Sequence, residues 1–117
     1  MEVGLTSIGG LKVRIGIPFI VVAIAITNMA VAVAGDSKAA VSTAKTVCAG
    51  CHGPDGISTN PLWPNLAGQK DQYLIKAMKD YRDGIKPDPN MGALAQGLSD
   101  EAIEDLAAYY SELAPGG

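Results

Sequence analysis

The stretch Cys48-Ala49-Gly50-Cys51-His52 decides how this chain is read. It sets two thiols at i and i+3, with an imidazole directly after the second. On one turn of helix both sulfurs fall on the same face. A thioredoxin-like redox pair also uses Cys-x-x-Cys, but at the strand-to-helix junction of a βαβ unit. Here the approach to Cys48 is rich in Ala, Ser and Lys, with no β-forming run. A structural zinc site takes four protein ligands, and the chain holds two cysteines and one histidine in all. A disulfide between residues three apart closes too short a loop to staple much. What suits the spacing is c-type haem attachment: the two thiols add to the two vinyl groups as thioethers, and the histidine is carried under the ring to the iron.

The rest of the 117-residue chain bounds one domain and a leader. Its 48% apolar content is inflated by the N-terminus. Lys12 and Arg14 precede an apolar run from Ile15 to Ile26, and Ala32-Val33-Ala34 is an A-x-A cleavage pattern. Residues 1–34 therefore read as a secretory signal peptide. The alternative is an uncleaved membrane anchor, since residues 15–34 suffice to span a bilayer. Residues 35–117 form the domain. Of the nine bases, Lys12 and Arg14 lie in the leader, and of the twelve acids only Glu2 does. Seven bases then face eleven acids, a balance of −4 that argues against a nucleic-acid partner. So short a domain has a marginal apolar core, which a covalently held haem would fill.

Hydrophobic periodicity gives an all-α fold. Residues 38–50 read as a helix that delivers Cys48 and Cys51. Residues 53–69 read as loop, with turn chemistry at Gly53-Pro54-Asp55-Gly56 and Asn60-Pro61. Residues 70–83 form an amphipathic helix with Leu74, Ala77, Met78 and Tyr81 on one stripe, stopped at Gly84. Residues 84–97 show no helical periodicity, and Pro87-Asp88-Pro89-Asn90 predicts an extended, turning path. The last helix spans 99–113, capped by Ser99, with Ile103, Leu106, Tyr110 and Leu113 as its buried stripe.

Over about residues 38 to 113 the chain resembles the small bacterial class I cytochromes c, which are single-haem electron carriers. The resemblance rests on Cys48-Ala-Gly-Cys51-His52-Gly53, on Pro64-Asn65-Leu66-Ala67-Gly68-Gln69, on Met91, and on Leu98-Ser99-Asp100-Glu101 opening the last helix. It implies the class I fold, with about three main helices around one haem c. It implies that the Pro64 carbonyl orients His52 and that Leu66 packs on the haem. Trp63 is read either as a cap on a haem edge, as an indole N–H donor to a propionate, or as a buried packing residue. The family's first and last helices cross through a glycine, expected where this chain has Val41; Ala40 and Ala44 are then the candidates for the close approach.

The second axial ligand follows partly from counting. His52 is the only histidine, and beyond the leader only Met78 and Met91 are thioether donors. Met78 lies on a helix stripe, where core filling competes. The family places its ligand just before the last helix, which is Met91, with Met78 as the alternative. His52 and Met91 together would close the iron and raise its reduction potential. The expected function is one-electron transfer between redox protein donors and acceptors, without catalysis, by a periplasmic monomer. It would be membrane-bound only if residues 15–34 are retained. Two alternatives are a haem subunit or anchored donor of a larger membrane complex, and a peroxidase-like haem enzyme should Met91 not bind the iron.

Overall fold

The computed structural model describes residues 9–10 and 34–116, so the leader read at 1–34 lies almost entirely outside the described residues. The chain divides into two units, Met1–Ala30 and Val31–Gly117, and every helix among the described residues belongs to the second. That unit has no strand among the described residues. None of its described helices is long and apolar enough to cross a membrane.

The first helical run is continuous from Ser37 to His52, but not uniform. Helix α1, Ser37–Thr43, is capped by Asp36, whose carboxylate accepts from the Lys38 N–H at 2.9 Å. A π-helical turn follows over Ala44–Cys48, in which the Ala49 N–H reaches back five residues to the Ala44 carbonyl. Helix α2, Ala49–His52, completes the run. It stops at Gly53, whose φ of 84° and ψ of 153° suit glycine alone. A Cβ there would run into the Ile57 carbonyl.

Helix α3, Asp71–Arg82, ends where expected, with Gly84 at φ 72° and its N–H on the Tyr81 carbonyl. Segment 84–97 departs from the sequence reading: Pro89–Gln96 is a helix, α4. The cause is local chemistry. Asp88 is an N-cap, accepting from the Asn90 and Met91 N–H groups at 2.9 and 2.8 Å, and Pro89 takes the first helical position. Proline is tolerated there because that N–H would be unpaired in any case. The Pro87-Asp88-Pro89-Asn90 stretch that reads as a turn is a helix start. Helix α5, Asp100–Glu112, is capped by Ser99.

α5 packs against both α1 and α3, and α4 packs on α3. Ala40 and Ala44 are buried together with Leu106, Ala107 and Tyr110, so small side chains on α1 and at the start of the π turn give the close crossing, and Val41 is only half-buried. At the start of α1 the Asp36 N–H donates to the Asp105 carboxylate at 2.6 Å, which ties that end to α5. The core is thin. Nine apolar residues are buried among those described: Ala40, Ala44, Ala67, Ala95 and Ala107, with Leu74, Ile103, Leu106 and Tyr110. Five alanines bury little area at roughly 25 cal/mol per Å², so these helices enclose less apolar bulk than their number suggests.

Candidate functional site

The space left by that thin core is a cavity of about 290 Å³. The helical run and the loop after it contribute Cys48, Cys51, His52, Pro64 and Leu66 to its wall. α3 adds Leu74, Met78 and Tyr81, α4 adds Met91 and Leu94, and α5 adds Leu106, Ala107 and Tyr110. Every site residue expected from the sequence therefore lines one cavity.

His52 is 6% exposed and sits at the end of α2. Its Nδ1 lies 2.8 Å from the Pro64 carbonyl oxygen. A carbonyl oxygen only accepts, so Nδ1 must carry the proton, which leaves Nε2 with a free lone pair. The loop that supplies Pro64 is folded back on itself. The Gly56 carbonyl accepts from the Leu66 and Ala67 N–H groups at 2.8 and 3.1 Å, and the Gly68 N–H donates to the Tyr110 carbonyl at 2.9 Å. Ser58 fastens the middle of the loop, its N–H on the Asn65 side chain and its hydroxyl on the Cys51 carbonyl. Pro64 is thus set against His52 by main-chain bonds on both sides of the turn, the arrangement that fixes a ligand imidazole's tautomer and tilt.

Both cysteines are free thiols, Cys48 half-buried and Cys51 exposed. Burial pushes the Cys48 thiol above its ordinary range, while a hydrogen bond with the Tyr110 hydroxyl pulls the other way. Burial likewise holds the Tyr110 phenol well above the usual tyrosine range. Tyr110 was legible only as a core residue of the last helix. Its place at the cavity wall depends on the α1–α5 crossing, which no local pattern encodes.

The two thioethers are both at the cavity, half-buried. Met91 lies in the first turn of α4, after Pro89 and Asn90, and its own N–H is one of the two that Asp88 holds. Met78 lies midway along α3. Trp63 is exposed at the cavity rim and is not a buried packing residue. A largely apolar cavity with two thiols, a tautomer-fixed imidazole and a soft thioether on its wall suits a covalently attached haem.

Residues 37–114 match the family model described as Cytochrome c. The chain is 49% identical to Cytochrome c-554(548) of Halomonas halodenitrificans, over 67% of its own length and 96% of that protein. It is 45% identical to Cytochrome c4 of Pseudomonas aeruginosa, over 68% of this chain but 37% of the relative. The crystal structure of reduced recombinant cytochrome c4 from Pseudomonas stutzeri superposes with a TM-score of 0.64 at 38% identity, over 69% of this chain and 47% of that one. The chain thus spans nearly all of the first relative and less than half of the cytochromes c4.

Proposed function

We infer that this chain, which belongs to the cytochrome c family, carries single electrons between exported redox proteins on one haem c that Cys48 and Cys51 would tether and whose iron His52 and Met91 would hold. The haem supplies the one-electron couple of its iron. The chain's residues do the rest. Cys48 and Cys51 tether the group, Pro64 orients His52, Leu66 packs on the haem, and the apolar wall keeps water away. The single observation that carries the reading is the His52–Pro64 hydrogen bond, which leaves Nε2 free to bind a metal on a cavity that also holds both thiols.

Met91 is favoured over Met78 by its place just before the last helix, where the family resemblance puts the ligand, and its N–H is held there by the Asp88 cap. Two protein ligands leave no position for substrate or oxygen, which supports a carrier over an enzyme. The apolar run from Ile15 to Ile26 favours a second reading, in which the protein is an anchored donor or subunit of a membrane complex. The intact mass of native protein separates the two.

Ligand assignment is tested by a pair of variants. Met91→Ala is expected to keep covalent haem, lose the weak long-wavelength band of a ferric iron–sulfur bond, lower the reduction potential and admit cyanide or carbon monoxide. Met78→Leu is expected to do none of these and to cost under about 1.5 kcal/mol, as volume-conserving core swaps do. The reverse pattern would move the ligand to α3.

A further inference from the structure

Resting on the reading that a haem fills this cavity, we propose that Lys86 is the cation that meets one of its carboxylates. A c-type haem brings two propionates into a pocket whose wall is mostly apolar. An ionised carboxylate leaving water needs a charged or hydrogen-bonding partner. Among the described residues lining the cavity, Lys86 is the only lysine or arginine.

The cations of α3 are already committed. Lys76 pairs with Asp80, and Lys79 and Arg82 both pair with Asp100. Lys86 has no carboxylate within ion-pairing distance among the described residues. It is nonetheless held in place. Its N–H donates to the Asp80 carbonyl at 3.0 Å, and its Nζ stands 4.7 Å from the centre of the Tyr81 ring, itself part of the wall. A cation over a tyrosine face is attracted by the ring quadrupole. The one acid in the wall, Asp88, spends its carboxylate on the Asn90 and Met91 N–H groups. A positioned ammonium without an anionic partner, at the mouth of a cavity that takes a dianionic ligand, is a site for that ligand's charge.

Two measurable effects follow. A cation beside a propionate keeps it ionised to lower pH, and its field also favours the iron that has gained an electron. The groups facing Lys86 that could titrate are Tyr73, Tyr81, Asp80 and Asp88. Of these, Asp80 is tested by its own variant. Protein with covalent haem is titrated electrochemically across the acid-to-neutral range as wild type, Lys86→Gln, Lys86→Arg and Asp80→Asn. Lys86→Gln is expected to lower the reduction potential and to move the inflection of potential against pH to higher pH, with the iron–sulfur band kept. Lys86→Arg is expected to preserve both values, and Asp80→Asn to preserve the inflection. Unchanged potential and inflection in Lys86→Gln would overturn the proposal. So would a lower potential with an unmoved inflection, which is a remote charge effect without contact to the carboxylate. Wild-type protein lacking covalent haem would instead overturn the reading beneath it.

Discussion

At the scale of single residues, the site depends on where one helix stops. Gly53 follows the histidine directly, and its backbone conformation lies outside what an L side chain adopts. That turn starts the loop back toward His52 and so sets the Pro64 carbonyl 2.8 Å from the ring. Gly53→Ala forces a strained backbone, worth about 1–3 kcal/mol, and drives a methyl into the Ile57 carbonyl. A loss of about 3 kcal/mol is expected, read as a lower denaturant midpoint with an unchanged slope. A midpoint equal to wild type would mean that the turn does not hold the loop. Much at this scale was legible in the sequence. Cys48, Cys51 and His52 are contiguous, so their chemistry needs no fold to be seen. Pro64 was legible only through resemblance to a family, because nothing in the order of residues says that a carbonyl twelve positions away meets the imidazole.

Between elements, the α3–α5 contact carries an exposed ionic clasp. The Arg82 guanidinium and the Lys79 ammonium both reach the Asp100 carboxylate in the first turn of α5, at 2.6 and 3.0 Å. The hydrogen bond from Arg82, and then that from Lys79, holds Asp100 below the usual carboxylate range. A group depressed on folding stabilises above its unfolded value, and that contribution disappears as pH falls through the lowered one. Asp100→Asn is therefore expected to cost a little stability at neutral pH and nothing in strong acid, where wild type is also protonated. Thermal midpoints of both proteins from neutral pH into the acid range would show the curves converge; parallel curves would discount the clasp. The helices at 70–83 and 99–113 were legible from periodicity because each has one apolar stripe, and the one at 38–50 from a run of Ala, Ser, Thr, Lys and Val with no Pro or Gly before Gly50. α4 was not. Its Pro-Asp-Pro-Asn start carries both a turn signal and a cap signal, and only packing on α3 decides between them. The π turn at Ala44–Cys48 was equally hidden, since one wide turn leaves the residue pattern almost unchanged.

For the whole molecule, the thin core and the function have one cause. Five of the nine apolar residues buried among those described are alanines, and the packed helices leave a cavity between them. Such a domain is completed by what it binds, and the wall it offers is suited to holding a group still. With His52 and Met91 both holding it, as proposed, the iron would be closed to outside ligands and pass one electron at a time. That closure is tested most directly by optical redox titration of the purified native protein at neutral pH, with and without carbon monoxide. A single one-electron step is expected, the same under both conditions, with no carbon monoxide spectrum in the ferrous protein. Carbon monoxide binding to the ferrous native protein, with a shifted potential, would contradict it.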